Sequence, residues 1–293
     1  MSLIESALER LRRGDAGSDR RAPAPRAVAA VTETKTLADF APAPEPPHKH
    51  ISVDLAALRK AGYLPEEGLE RRFADQYRQI KRPLIERAIN GGAEMRLILV
   101  SSALPGDGKT FTSINLALSM AREQDISVLL VDADAPKRHI SQVFGLRQEP
   151  GLIDALVDDS LDVESLIVHT DIRGLEILPS GRFVENATEL LASTRMEQIA
   201  NRVNARGSRR LVLLDSAPLL VSSEARVLLR IPGQVVLVVR VDVTPRQAML
   251  DAVALVDKKK LQGVVLNQAT FTNATSYYGY PGYGEGDGTS GPG

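Results

Sequence analysis

The stretch Leu97-Ile-Leu-Val100-Ser-Ser102-Ala-Leu-Pro105-Gly106-Asp107-Gly108-Lys109-Thr110-Phe111 decides the reading of this chain. An apolar run of strand length leads into a loop that fits Gly-x-x-x-x-Gly-Lys-Thr, with Ala103 in place of the first glycine. Between a strand and a helix, such a loop turns backbone N–H groups toward the phosphates of a nucleotide, helped by the start of the helix. Gly106 and Gly108 allow the close approach and the unusual dihedrals. Lys109 is placed to reach the β- and γ-phosphates, and the hydroxyl of Thr110 to ligate Mg²⁺. Pro105, Gly106, Asp107, Gly108, Lys109, Thr110 and Phe111 therefore read as the ATP-binding segment.

Working outward, further strand-length apolar runs occur at 128–131, 175–178, 211–214, 235–239 and 263–266, separated by helical patterns. Continuous rather than alternating apolar runs suit a parallel sheet covered on both faces. The expected fold is α/β, a P-loop NTPase-type, mostly parallel sheet with right-handed crossovers. Two runs end in acids: Val131-Asp132-Ala-Asp134, and Leu214-Asp215-Ser-Ala-Pro218. In such a sheet ligand groups gather at the C-terminal ends of the strands. Three carboxylates there would repel one another, and Mg²⁺ is the natural reason to collect them. Thr110, Asp132 and Asp215 are the expected metal ligands.

Composition sets the bounds. The 293 residues are 43% hydrophobic and 25% charged, as expected of a globular protein. A net charge of −1 gives no field that would draw nucleic acid, so none is expected as a partner. Lys258-Lys259-Lys260 reads as a solvated helix end. Cysteine is absent, which excludes disulfides, thiolate metal sites and thiol nucleophiles and fits a reducing cytosol. The N-terminus lacks the pattern of a signal peptide, and no apolar run approaches the roughly 18 residues of a membrane span.

Ahead of the loop, residues 1–13 read as an amphipathic helix, with a Ser2/Glu5 capping box, one apolar face (Ile4, Leu8, Leu11) and Gly14 at its end. Residues 14–48 are Ala- and Pro-rich and read as a disordered linker. Residues 49–92 read as a helical region: a short helix over 52–62, then a longer one from Glu66 through Lys81 that restarts at Pro83. Arg71, Arg72, Arg78, Lys81, Arg82 and Arg87 make that region basic. Residues 93–275 form the expected catalytic domain. Residues 276–293 form a Tyr/Gly-rich tail holding Tyr277, Tyr278, Tyr280 and Tyr283, four of the chain's six tyrosines. A nucleotide site and a cluster of phosphorylatable hydroxyls in one chain suggest an enzyme that carries its own substrate.

These elements together resemble the bacterial tyrosine kinases, whose P-loop fold is unrelated to that of eukaryotic protein kinases. The resemblance spans roughly residues 66–284 and rests on four motifs and the tail. They are the loop at 102–110, the second acidic motif at 128–134, the strand-end Asp at 211–218, and Asn186-Ala-Thr-Glu189-Leu-Leu191-Ala-Ser193. The short N-terminal helix and proline-rich linker make the whole chain most similar to stand-alone tyrosine autokinases of exopolysaccharide loci associated with exosortase. The resemblance implies ATP and Mg²⁺, autophosphorylation on Tyr277, Tyr278, Tyr280 and Tyr283, and action on protein tyrosines. It also implies a membrane partner that controls polysaccharide chain length and export, and a cytoplasmic position at the inner face of the membrane through that partner.

Matched residue by residue, the catalytic set is Lys109, Asp132, Asp134 and Asp215, with Asp134 helping to deprotonate the tyrosine hydroxyl. The family's oligomerisation motif, Glu-x-x-Arg-x-x-Arg, stands here as Asp75-x-x-Arg78-x-x-Lys81, implying a homo-oligomer with a ring as one form. Lysine does not reproduce arginine's bidentate fork. The main rival is the ATPase group that positions septa and partitions plasmids, whose signature lysine near the start of the loop is replaced here by Leu104 and Pro105. A second rival is a nucleotide-binding scaffold of the export assembly without catalysis.

Overall fold

Side chains of successive strand residues point to opposite faces, and this alternation inside each apolar run builds the molecule. The computed structural model describes residues 49–205 and 209–269. The expected helix at 1–13, the linker at 14–48 and the tyrosine tail lie outside the described residues.

The chain opens with β1 (His50–Ile51), α1 (Leu55–Lys60) and α2 (Glu70–Asn90), followed by a 3₁₀ turn at Ala93–Arg96. Then come β2 (Leu97–Ser102), α3 (Lys109–Ala121), β3 (Ser127–Asp132), α4 (His139–Val143) and α5 (Leu152–Val157). After a second 3₁₀ turn at Val163–Leu166 follow β4 (Val168–Thr170), β5 (Leu175–Leu178), α6 (Ala187–Leu191) and α7 (Thr194–Ala205). The last elements are β6 (Arg210–Asp215), α8 (Ser223–Leu228), β7 (Gln234–Arg240), α9 (Arg246–Leu255) and β8 (Leu261–Asn267).

The eight strands lie in the order β1-β4-β5-β3-β6-β2-β7-β8. Every neighbouring pair is parallel except β4 and β5. Leu97 and Leu99 of β2, Leu129 and Val131 of β3, and Val212 and Leu214 of β6 join one buried cluster with α5, α6, α7 and α8. Their neighbours Ile98, Val100, Val128, Leu130, Leu211 and Leu213 join the opposite cluster, with α2 and α3. The runs of β2, β3 and β6 are apolar through their middles because both of their faces are covered.

Two findings differ from the sequence reading. Helix α2 does not restart at Pro83 but runs unbroken through it for 21 residues. Proline removes one backbone bond and crowds the preceding turn. Here Pro83 and Gln79, whose carbonyl loses its donor, are both exposed, so water can serve that carbonyl. Tyr77, Lys81, Leu84, Ile85 and Ala88 form the buried stripe that holds the helix down. Residues 49–92 also contribute a strand, since β1 pairs with β4 at the edge of the sheet. This region is therefore built into the same body as the sheet. No helix among the described residues is long and apolar enough to cross a membrane.

Candidate active site

Parallel register brings the motif residues together. Strands β3, β6 and β2 are neighbours, with Asp132 opposite Asp215 and Val100 opposite Asp215. The two acids and the loop that leaves β2 thus emerge at one edge of the sheet. The loop closes on helix α3, whose cap residue Gly108 has φ 95° and leaves the first N–H groups of the helix without a side-chain cap. Gly106 also has a positive φ of 87°. Both conformations suit glycine, and both turn backbone donors toward the space above the loop.

Lys109 is buried, and its ammonium lies 2.7 Å from Asp134 Oδ2 and 3.7 Å from Asp215 Oδ2. It also donates to Thr110 Oγ1 at 3.2 Å. Burial opposes its charge, but Asp215 and Asp134 outweigh that and hold its pKa above the ordinary lysine value. Asp215 is fully enclosed; its two oxygens accept from Thr110 Oγ1 at 2.8 Å and Ser113 Oγ at 2.9 Å. Burial raises the pKa of Asp215, opposed by Lys109 and the two hydroxyls.

Asp132 is likewise enclosed, and its Oδ2 accepts from the backbone N–H of Ser141 at 2.8 Å and the Ser141 hydroxyl at 2.6 Å. Burial, opposed by the bonds from Ser141 and reinforced by Asp215 and Asp134, pushes Asp132 up to about 7. His139, at the start of α4, is held below the usual imidazole range by burial and then by the charge of Lys109.

The expected catalytic set Lys109, Asp132, Asp134 and Asp215 therefore shares one buried locus, with Thr110 beside it. The strand-end acids are not a ready-made metal centre: among the described residues no three His, Cys, Asp or Glu side chains gather as one. Lys109 pairs with Asp134 and Asp215, while hydroxyls of Thr110, Ser113 and Ser141 donate to Asp215 and Asp132. Asp132 Oδ1 and Asp134 Oδ1 are nevertheless buried without a hydrogen-bond partner. Such orphaned anionic oxygens fit a Mg²⁺ ion, which takes one or two carboxylates and fills its shell with water and phosphate oxygens.

Sequence reasoning missed Ser113 and Ser141. Ser113 falls one helical turn after Lys109 and carries a faint signal, whereas Ser141 has no motif to mark it. Among the oligomerisation residues, Asp75 and Arg78 are exposed and paired with each other at 2.9 Å. Lys81 is turned inward, donating to the carbonyl of Ser119 at 2.6 Å and pairing with Glu123 at 2.8 Å. Leu104, where the rival ATPases carry their lysine, packs against the apolar core.

Known proteins share this architecture. The profile of a family described as an AAA domain matches residues 95–262. The tyrosine-protein kinase YwqD of Bacillus subtilis is 32% identical over 71% of this chain and 86% of its own length. The putative tyrosine-protein kinase EpsB of Ralstonia nicotianae is 32% identical over 63% of this chain, but the match spans only 24% of that longer protein. Among solved structures, the VpsO kinase domain superposes with a TM-score of 0.58 at 26% identity, covering 70% of this chain and all of that one (100%). The kinase domain of the Escherichia coli tyrosine kinase ETK gives 0.55 at 29% identity, over 64% of this chain and 73% of its own. With the phosphate loop, its buried lysine and the strand-end acids in place, these likenesses assign the chain to the bacterial tyrosine-protein kinases.

Proposed function

We propose that this chain is an ATP-dependent protein-tyrosine autokinase that phosphorylates its own Tyr277, Tyr278, Tyr280 and Tyr283 and thereby regulates exopolysaccharide synthesis and export. The observation that carries this reading is the placing of Lys109 between Asp134 and Asp215 at the foot of a glycine loop. A cation there meets nucleotide phosphate on one side and leaves a carboxylate on the other. Phosphoryl transfer asks little more of a protein than positioning and charge stabilisation.

Thr110, Asp132 and Asp215 would hold Mg²⁺, which when bound neutralises phosphate charge. The chain's own residues do the rest. Loop N–H groups and Lys109 orient the phosphates, and the phosphates compete with Asp134 for the lysine. Freed from that ion pair, Asp134 accepts the proton of the attacking tyrosine hydroxyl. Ser141 fixes Asp132 and leaves its Oδ1 open, while Thr110 and Ser113 hold Asp215 in place until one of them yields to the ion. Leu104, a half-buried leucine against the core, favours this reading over the partition ATPases, because it offers no cation to a neighbour's nucleotide.

The proposed assembly is a homo-oligomer recruited to the inner face of the cytoplasmic membrane by a polysaccharide chain-length or export protein. Each phosphate on the tail adds about −1.5 to −2 charges, which would loosen contacts with neighbouring subunits. Purified full-length protein incubated with ATP and Mg²⁺, then digested and mapped by mass spectrometry, should carry phosphotyrosine in the 276–293 segment. A chain that hydrolyses ATP yet never labels on tyrosine would instead be an ATPase of the partition type, and one that only binds ATP a nucleotide-binding scaffold.

A further inference from the structure

Asp107 sits between the two loop glycines and is 2% exposed. Three donors from three parts of the chain converge on it. Its Oδ2 accepts from the backbone N–H of Leu104 at 2.8 Å, within the loop itself. Its Oδ1 accepts from the Thr244 hydroxyl at 2.6 Å, and its backbone carbonyl from the Asn267 side-chain amide at 2.9 Å. Thr244 follows β7, and Asn267 is the last residue of β8. Neither strand supplies one of the catalytic acids.

The two outer arms are themselves fixed. The Thr244 hydroxyl accepts from the N–H of Arg240 at 2.9 Å, which leaves its one proton to point at Asp107. The N–H of Val241 donates to the carbonyl of Asn267 at 3.0 Å, tying the ends of β7 and β8 together. Contact at Gly108 is close: a Cβ there would lie 1.9 Å from Asn267 Nδ2.

A glycine-containing loop loses much conformational freedom when it is held in one shape. Preparing that shape before the ligand arrives improves binding by removing the cost from the binding step. We propose that Asp107, Thr244 and Asn267 form a latch that holds the phosphate loop in its binding shape, so that nucleotide affinity depends on the end of β8. The inference rests on the nucleotide-binding reading of the loop. It makes Thr244 and Asn267 positioning residues, since neither belongs to the set that meets the reacting atoms. It also has a reciprocal consequence. Whatever pulls on the chain after Asn267, which leads on to the tyrosine tail at 276–293, changes nucleotide affinity, and bound nucleotide steadies the end of β8.

The test titrates the full chain with a fluorescent ATP analogue in the presence of Mg²⁺. Thr244→Val keeps the shape and removes the hydroxyl, and Asn267→Ala removes the amide. Each should weaken Kd by about tenfold, the loss of one hydrogen bond to a buried polar group. Thr244→Ser, which keeps the hydroxyl, should restore affinity to within about twofold of the parent. In the kinase assay the KM for ATP should rise by the same factor while kcat falls by less. A kcat that falls as much as KM rises, with a lower melting temperature of the nucleotide-free protein, would mean general structural damage and count against the latch.

A second measurement needs no variant. Hydrogen exchange at the Val241 amide, which is bonded to Asn267, should slow when the analogue binds. Unchanged Kd in both Thr244→Val and Asn267→Ala, or nucleotide-independent exchange at Val241, overturns the latch while leaving the nucleotide site standing. A parent chain that binds no nucleotide removes that site, and the latch with it.

Discussion

Lys109 Nζ stands 2.7 Å from Asp134 Oδ2, so the cation of the phosphate loop is already neutralised before any phosphate arrives. A nucleotide must therefore compete with a buried carboxylate for this lysine. Asp134→Asn removes that competition together with the proposed proton acceptor. ATP affinity should hold steady or tighten, while tyrosine phosphorylation falls by about a hundredfold or more. Fluorescence titration and an initial-rate assay on the same preparation check both halves. A variant that binds and transfers like the parent would remove Asp134 from the chemistry.

The raised pKa of Asp132 predicts how stability follows pH in protein free of nucleotide and divalent cation. Burial raises it from the ordinary aspartate range to about 7, so between roughly pH 4 and 7 the folded state binds a proton that the unfolded state does not. Its contribution is fully present below pH 4 and is lost as pH rises through 7. Asp132→Asn lacks this term. Its Tm relative to the parent should rise as the pH is taken from 5 to 8, with an advantage at pH 8 that shrinks at pH 5. Parallel Tm profiles for the two proteins would show that Asp132 is ionised throughout.

Lys81 and Arg78 lie one helical turn apart on α2 and should behave differently. Lys81 is 6% exposed and bonded to Ser119 and Glu123, so Lys81→Ala should cost about 1–3 kcal/mol of folding stability. Arg78 is exposed and paired with Asp75, so Arg78→Ala should change stability by less than about 0.5 kcal/mol. If α2 carries the contact between copies, Arg78→Ala lowers the assembly state in sedimentation experiments. Denaturant melts and sedimentation on both variants separate the two roles.

The sequence told most where one residue type dictates one local outcome. The six apolar runs became six strands, most plainly β2, β3, β6 and β7, where burial on both faces leaves few polar positions to blur the pattern. Strands β1 and β4 span only 50–51 and 168–170, too few residues for any period to show. The break expected at Pro83 did not occur, because an exposed proline with a buried stripe on either side of it can be carried by tertiary packing. At the site, the loop motif and the strand-end acids marked Lys109, Thr110, Asp132, Asp134 and Asp215, and the resemblance gave them roles. Ser141, Thr244 and Asn267 were not marked. Their partners lie 9, 137 and 160 residues away in sequence, and only the folded sheet brings them within bonding distance.

The central claim is that this chain moves phosphate from ATP to its own tyrosines through Lys109. Lys109→Met tests it most directly, with phosphotyrosine in the 276–293 segment counted by mass spectrometry after incubation with ATP and Mg²⁺. Circular dichroism of the same sample should match the parent, showing that the fold is kept. The account predicts a labelled parent and an unlabelled, folded variant. Equal phosphotyrosine on the two proteins would contradict it.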